Sequence, residues 1–130
     1  RKEVKKSKIK IFVNLEHSLY LSAMKNCDVM IGNSSSGLIE APSCRTPYVL
    51  IGTRQEGRER AKSVIQVGYN KNEIVRAAKR AMFNKAFRGT VDKCINPYDP
   101  FGDGKSGERI ADILAKVKIN YKLIQKKIAY

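Results

Sequence analysis

The stretch "CDVMIGNSSSGLIEAPSCRTPYVLI", residues 27–51, decides the fold. It begins with a short apolar run, "CDVMI" (27–31), and ends with another, "PYVLI" (47–51), and each run predicts a buried strand. Between them "SGLIEAP" opens a short helix, which Pro42 must kink or end because proline cannot continue a helix. A strand, a helix and a second strand in this order predict a βαβ unit with parallel strands.

The same alternation of short apolar runs and amphipathic segments continues on both sides of this stretch. The other predicted elements are a strand "IKIFV" (9–13), a helix "SLYLSAMKN" (18–26), a strand "SVIQV" (63–67), a helix "KNEIVRAAKRAMF" (71–83), a loop "NPYDPFGDG" (96–104) and a helix from about Ser106. The fold class expected from this order is α/β, with a Rossmann-like parallel sheet.

We expect residues 1–130 to form a single domain that is an excerpt of a longer protein, with a basic helix or tail from about residue 116. Four strands are few for a doubly wound sheet, which usually has five or six, so further strands are expected before Arg1. The chain also lacks an initiator methionine.

The net charge of +14 suggests nucleic-acid binding until the charges are located. Residues 1–10 hold six basic residues and one acidic one, and residues 116–130 hold five basic residues and no acidic one. Because the excess lies at the two ends, solvated faces and a basic tail explain it, and nucleic acid is not the expected partner. No apolar run is long enough to cross a membrane, so we expect no membrane contact and a cytoplasmic location.

The cysteines and the single histidine predict neither a metal site nor a catalytic centre. Cys27, Cys44 and Cys94 are odd in number and form no CxxC pair, so free buried thiols are expected. His17 is interpreted as a surface or packing residue. No metal and no cofactor are expected.

The polar turn after the first strand of the βαβ unit is the candidate binding site. Ligands of open parallel sheets bind beyond the carboxyl ends of the strands, and "GNSSSG" lies at such an end. Ser34, Ser35 and Ser36 supply hydroxyl donors and Gly37 lets a ligand come close, which suits a diphosphate at a helix start. Glu40 is anionic, so it suits sugar hydroxyls instead. The alternative is an ordinary helix N-cap made by the serines, with Glu40 stabilising the helix dipole.

The segment "DVMIGNSSSGLIEAPSCRTPYVLIGTRQEGRERA" (28–61) resembles the nucleotide-binding stretch of UDP-N-acetylglucosamine 2-epimerases. "GNSSSG" followed by "GTRQ" and "GR" is similar to the hydrolysing branch of that family, which serves sialic-acid and related pathways. "FGDGKSGERI" (101–110) resembles the closing element of the family. The resemblance implies the C-terminal half of a two-domain fold of the GT-B type.

The resemblance also implies roles for single residues. Ser34 and Ser35 match serines that contact phosphate, Glu40 matches a glutamate that binds ribose, and Arg54 matches an arginine that contacts the nucleotide. Tyr20 matches an aromatic residue near the uracil, with a plain core aromatic as the alternative, and Asn14 and Leu15 match a loop that meets the base. Arg58 and Arg60 are interpreted as solvated helix charges, with assistance to Arg54 at the phosphate as the alternative.

The implied function is the UDP-binding half of an enzyme that converts UDP-N-acetylglucosamine and water to N-acetylmannosamine and UDP. The resemblance gives no catalytic residue in this chain, because the acid and base groups belong to the parts missing from it, mainly the N-terminal domain of the same enzyme. A homo-oligomer is expected for the full-length form. Two alternatives remain open: a GT-B glycosyltransferase, and a non-catalytic basic module that binds nucleotides or nucleic acid.

Overall fold

The computed structural model describes residues 9–125, which contain six helices and three strands. In chain order these are α1 (His17–Asn26), β1 (Met30–Gly32), α2 (Ser36–Ile39), β2 (Tyr48–Ile51), β3 (Val64–Val67), α3 (Lys71–Phe83), α4 (Lys85–Asp92), α5 (Ser106–Lys116) and α6 (Tyr121–Ile124). The chain divides into two compact units, one ending at Pro100 and one beginning at Phe101.

The first unit is built on a parallel sheet with the strand order β1-β2-β3. Met30 pairs with Tyr48, and Tyr48 pairs with Val64 on its other side, so β2 is the central strand. Both neighbours of β2 run parallel to it, which places the carboxyl ends of all three strands at one edge. The expected α/β fold with a Rossmann-like parallel sheet is confirmed.

Helices cover both faces of the sheet. Successive side chains of a strand point to opposite faces, so the side chains of β2 pack against helices on each side. Tyr48 and Leu50 point to one face and pack with Leu38 of α2. Val49 points to the other face. There it packs against two helices, through Ala77 and Ala81 of α3 and through Phe87 and Val91 of α4. The continuous apolar run of β2 is the pattern of a strand that is buried on both faces.

The strand predicted over residues 9–13 is wrong. Within the described residues this segment forms neither strand nor helix, and Ile9, Ile11, Phe12 and Val13 are exposed. A strand needs a neighbour to pair with, and no described strand lies beside this segment, so its apolar composition alone did not make it one. The described part of the sheet therefore has three strands, where the sequence predicted four.

The first predicted helix and the strand that follows it are confirmed with shifted bounds. α1 begins at His17, and the carboxylate of Glu16 accepts a hydrogen bond of 3.2 Å from the backbone N–H of Leu19. The strand was predicted to begin at Cys27, but Cys27 is the C-cap of α1, and β1 begins at Met30.

The helix α4 was not predicted. Asn84 begins it, with its side-chain oxygen accepting a 2.8 Å hydrogen bond from the backbone N–H of Phe87. α3 was predicted correctly over residues 71–83, and its buried residues are Ala77 and Ala81. Their short side chains let the helix approach the sheet closely.

The second unit is a loop followed by helices. Asp103 accepts hydrogen bonds of 2.9 and 2.5 Å from the Arg109 guanidinium, and this contact lowers the pKa of the Asp103 carboxyl to about 2. The same guanidinium lies 3.9 Å from the centre of the Phe101 ring. α5 begins at Ser106 as predicted, and the helix of the basic tail, α6, is short. The tail residues 126–130 lie outside the described residues.

None of the helices in the described range is long and apolar enough to cross a membrane.

Gly37 lies directly against the fully buried ring of Tyr48. A Cβ atom added at Gly37 would come within 2.3 Å of that ring, which cannot move aside because the core encloses it. Gly89, in the interior of α4, is the opposite case, since a Cβ atom there would meet nothing within 4 Å. Gly37 and Gly89 therefore form a matched pair of helical glycines, of which packing requires only the first.

We predict that Gly37→Ala destabilises the protein by about 1–3 kcal/mol, because it overpacks the core beside Tyr48. Gly89→Ala is the matched control, and it should stabilise the protein by about 0.5–1 kcal/mol, the usual gain from replacing a helical glycine. Urea unfolding of both variants measures the two effects. Similar stability changes in the two variants would contradict the packing role of Gly37.

Candidate functional site

The candidate site lies where β1 and β2 end. Gly32, the last residue of β1, pairs with Leu50, so the segments after these two strands leave the sheet side by side at the same edge. The first segment is the serine turn, residues 33–36, and the second is the arginine loop, residues 52–57. A crevice of this kind, at the carboxyl ends of parallel strands, is where ligands of such folds bind.

The three serine hydroxyls of the serine turn have different surroundings. The Ser34 hydroxyl accepts a long hydrogen bond of 3.3 Å from the backbone N–H of Ser36. The Ser36 hydroxyl shares a hydrogen bond of 2.7 Å with the Tyr20 hydroxyl. Ser35 is the N-cap of α2, but its side chain makes no capping hydrogen bond. The alternative of an N-cap made by the serines therefore holds only for Ser34, whose hydroxyl accepts from a backbone N–H at the start of α2, and the Ser35 hydroxyl is uncommitted within residues 9–125.

The helix that follows the serine turn is too short to attract an anion by its dipole. α2 has four residues, so few peptide dipoles add up along it. The expected pull of a helix N-terminus on phosphate is correspondingly weak, and side chains must supply most of the attraction. Gly37 is buried and faces Tyr48, so packing with the core gives a reason for this glycine that is independent of any ligand.

Glu40 lies at the C-terminal end of α2, as its C-cap residue, and is half-buried. A carboxylate gains nothing from a helix dipole at that end, so the alternative explanation of Glu40 as a dipole-stabilising residue is wrong. Burial raises the pKa of the Cys44 thiol, and the nearby Glu40 carboxylate raises it further. The Glu40 backbone N–H donates a 2.9 Å hydrogen bond to the Ser36 carbonyl, but among the described residues no hydrogen bond or ion pair joins its carboxylate to the serine hydroxyls or to Arg54.

Arg54 is exposed in the arginine loop, close after the end of β2. The loop leaves the strand at Gly52, whose φ of 75° favours glycine, and the N–H of Glu56 then donates a 2.9 Å hydrogen bond to the Thr53 carbonyl. Among the described residues no hydrogen bond or ion pair engages the Arg54 guanidinium. Its charge is available to an anion at this edge of the sheet.

Gln55 is a residue of the site that the sequence analysis missed. Its side chain is buried, and its amide nitrogen Nε2 donates a 2.8 Å hydrogen bond to the backbone carbonyl of Asn33. This bond joins the arginine loop to the serine turn. The only signal in the sequence was the position of Gln55 inside the "GTRQ" motif.

The helical part of the interpretation of Arg58 and Arg60 is wrong, although both residues are exposed as expected. No helix covers residues 58–60, and the Arg60 guanidinium donates to Oε1 of Gln66 and, at 3.4 Å, to the backbone carbonyl of Gln55. Arg58 is exposed in the same segment.

Two cavities flank the serine turn and the arginine loop. One, of about 270 Å³, has a mainly apolar lining, which consists of Leu15, Tyr20, Ala23, Met24, Cys27, Val29 and Met30. The other, of about 410 Å³, opens at the ends of β2 and β3 and is lined by Gly52, Thr53, Gln66, Val67, Gly68 and Tyr69. The structure thus brings Leu15 and Tyr20 together in one apolar cavity, and the Tyr20 hydroxyl connects that cavity to the serine turn.

The remaining candidates take no part in this geometry. Asn14 and His17 are exposed. Cys27, Cys44 and Cys94 are free thiols, but only Cys94 is buried, and the expectation of a buried thiol is wrong for the exposed Cys27. Partial desolvation still raises the pKa of Cys27. In the part of the chain that the structure describes, no group of three or more His, Cys, Asp or Glu residues could hold a metal ion.

Comparison with known proteins gives several relatives. A Legionella pneumophila protein named UDP-N,N'-diacetylbacillosamine 2-epimerase (hydrolyzing) is 32% identical over 122 residues, which cover 94% of this chain and 30% of that protein. Polysialic acid biosynthesis protein P7 of Escherichia coli is 42% identical over 94 residues, 72% of this chain and 24% of that protein. A Campylobacter jejuni protein named GDP/UDP-N,N'-diacetylbacillosamine 2-epimerase (hydrolyzing) is 49% identical over 63 residues, 48% of this chain and 16% of that protein.

The chain therefore spans less than a third of the length of these relatives. The profile of the family described as UDP-N-acetylglucosamine 2-epimerase, whose fold is GT-B-like, matches residues 1–115. A match over most of the chain, together with relatives of this name and identity, means that the chain belongs to the UDP-N-acetylglucosamine 2-epimerase family.

Proposed function

We propose that this chain is the UDP-binding part of a hydrolysing UDP-N-acetylglucosamine 2-epimerase, in the C-terminal half of the full-length enzyme. The observation that carries the proposal is the pairing of the serine turn with the arginine loop at one edge of the sheet, in a chain of this family. The full-length enzyme would be a cytoplasmic homo-oligomer that needs no cofactor, and its substrate would lie between this part and the N-terminal domain.

The names of the relatives support the hydrolysing reaction. Two of the proteins compared above are named as hydrolyzing 2-epimerases, and both names specify N,N'-diacetylbacillosamine as the sugar. That sugar and N-acetylglucosamine are both N-acetylated, so the proposed substrate class is a UDP-sugar of this kind. UDP-N-acetylglucosamine is the first candidate and the diacetylbacillosamine derivative is the second.

The proposed binding mode uses each polar residue for the chemistry that suits it. Ser34, Ser35 and Arg54 would hold the diphosphate, because hydroxyl and guanidinium groups donate hydrogen bonds to phosphate oxygens. Glu40 would accept hydrogen bonds from the ribose hydroxyls, since a carboxylate repels phosphate. Ser36, with its hydroxyl already paired to Tyr20, would shape the turn together with Gly37.

The uracil would occupy the apolar cavity beside α1. Leu15 and Tyr20 line this cavity, and an aromatic ring offers a flat apolar surface for a planar base. The hydrogen bond of 2.7 Å between Tyr20 and Ser36 connects the cavity to the serine turn, so one nucleotide could reach both.

The proposed reaction has two steps. A base removes the proton from C2 of the sugar while the bond from C1 to the diphosphate oxygen breaks, and its electron pair leaves with UDP. Water then adds across the new double bond. The hydroxyl bonds to C1, and a proton bonds to C2 on the face opposite to the one from which the first proton was removed. The acid and base groups would come from the N-terminal domain. This part would stabilise the growing negative charge on the leaving UDP through Arg54 and the serine hydroxyls.

The direct test is product analysis with the full-length protein. Incubation with UDP-N-acetylglucosamine should release UDP and N-acetylmannosamine in equal amounts, measured by chromatography and mass spectrometry. The diacetylbacillosamine derivative, assayed in parallel, decides which sugar has the higher kcat/KM. A glycoside formed on an added acceptor, with no free epimerised sugar, would identify a glycosyltransferase instead.

We expect Ser35→Leu in the full-length protein to reduce the affinity for UDP on the order of tenfold or more. The bulky side chain blocks the approach of phosphate and removes a hydrogen bond to a charged group, worth about 1.5–3 kcal/mol. Titration calorimetry measures the affinity. Ser22→Leu, on the exposed surface of α1, is the control and should leave the affinity unchanged. Normal UDP binding by the Ser35→Leu protein would refute the phosphate role.

Glu40→Gln keeps the shape of the side chain and removes its charge, so it tests the ribose role. UDP affinity should fall on the order of tenfold, whereas the affinity for 2′,3′-dideoxyuridine diphosphate, which lacks the ribose hydroxyls, should change little. Glu56→Gln removes an exposed charge from the arginine loop and controls for long-range electrostatics. Equal losses for the two nucleotides would remove the ribose role from Glu40.

A further inference from the structure

Gln55 is a buried polar side chain in an otherwise exposed loop. Only 5% of its surface is accessible, whereas Arg54 and Glu56 beside it are exposed. Burying an amide is costly unless it is hydrogen-bonded, and Gln55 Nε2 meets this requirement with the Asn33 carbonyl at 2.8 Å. Gln55 is thus the buried polar side chain of the arginine loop, and it is hydrogen-bonded to the backbone of the serine turn.

The hydrogen bond between Gln55 and Asn33 is part of a larger network of hydrogen bonds at the edge of the sheet where the strands have their carboxyl ends. The Gln55 carbonyl accepts from the Arg60 guanidinium, which also donates to Gln66 Oε1. Gln66 Nε2 in turn donates a 3.0 Å hydrogen bond to the Gly52 carbonyl. Because Gln66 lies on β3, the chain of hydrogen bonds connects the segments after β1 and β2 to the third strand.

These contacts fix the backbone on both sides of Arg54. Gly52, two residues before it, is held by Gln66, and Gln55, the next residue, is held by Asn33 and Arg60. The separation between the backbone at Arg54 and the serine turn is therefore set before any ligand arrives. A loop that is already ordered spares a ligand the entropic cost of ordering it.

We propose that Gln55 is a positioning residue: its hydrogen bond to Asn33 sets the spacing between Arg54 and the serine turn at which a diphosphate is held. Arg60 and Gln66 support it from behind. Gln55 itself touches no part of the nucleotide. This inference rests on the proposed function, since it assigns the spacing to the diphosphate of UDP.

The test compares UDP with uridine in the full-length protein. Gln55→Met keeps the length of the side chain but removes the donor, so UDP affinity should fall on the order of tenfold while uridine affinity stays the same. Gln125→Met, the same replacement at an exposed position, is the matched control. Equal losses for UDP and uridine would mean a general structural role and would overturn the proposal.

A double-mutant cycle separates positioning from simple loss of stability. If Gln55 acts through Arg54, then Gln55→Met should cost much less UDP affinity when Arg54 is already replaced by Ala. Fully additive losses would overturn the proposal. Gln66→Met is a second variant, at an exposed position where a substitution does not disturb the core. It should lower UDP affinity by a smaller factor than Gln55→Met does and leave uridine affinity unchanged.

The outcome also distinguishes this inference from the proposed function. If the wild-type protein does not bind UDP, the proposed function is refuted and this inference with it. If the wild-type protein binds UDP and the Gln55→Met protein binds it equally well, only the positioning role of Gln55 is refuted.

Discussion

The hydrogen bond from the Tyr48 hydroxyl to the Ser34 carbonyl, 2.9 Å long, connects the core of this protein to its candidate site. Tyr48 is the first residue of the central strand, and its ring is fully buried against α2. A buried phenol needs a hydrogen-bond partner, and the carbonyl of the serine turn provides it. Burial raises the pKa of Tyr48, so its hydroxyl keeps the proton that it donates. The serine turn therefore rests on the core itself.

Other buried polar contacts hold the segments around this point. The Thr46 hydroxyl, just before β2, donates a 2.7 Å hydrogen bond to the Met24 carbonyl in α1. Asn96 donates to the Ile39 carbonyl at 2.8 Å and so ties the loop after α4 to the end of α2. Each contact joins a side chain to a backbone carbonyl far away in sequence. The first contact joins α1 to the segment before the central strand, and the second holds the end of α2, whose Leu38 already packs against that strand.

The sequence was sufficient for features that depend on local pattern. The runs "PYVLI" and "SVIQV" became strands because each is apolar and follows a proline or a polar turn, and α3 has a clear helical period. The run "IKIFV" is as apolar as these, but pairing depends on a neighbour that the pattern does not encode. The helix α4 has only eight residues, with a glycine in its interior and Phe87 and Val91 as its buried residues, so the pattern was too short to be recognised.

The polar framework of the site could be predicted only in part, for a physical reason. Ser34, Ser35 and Arg54 stand out in the sequence because small hydroxyl residues and a cation follow strands. The partners of Gln55 and Tyr48 are main-chain carbonyls, Asn33 and Ser34, and a carbonyl is the same whatever residue carries it. In such a contact the accepting residue can be of any type, so its identity in the sequence does not indicate the contact.

The close fit of Gly37 against Tyr48 restricts how this part of the chain can change over evolutionary time. A larger residue at position 37 would be accepted only beside a smaller one at position 48, and that exchange would take away the hydroxyl that holds Ser34. Neither single step is neutral, so a drifting population would have to pass through a less stable intermediate to alter the pair. Positions 37 and 48 should therefore be inherited as a unit, and selection on the core alone is sufficient to maintain the shape of the serine turn.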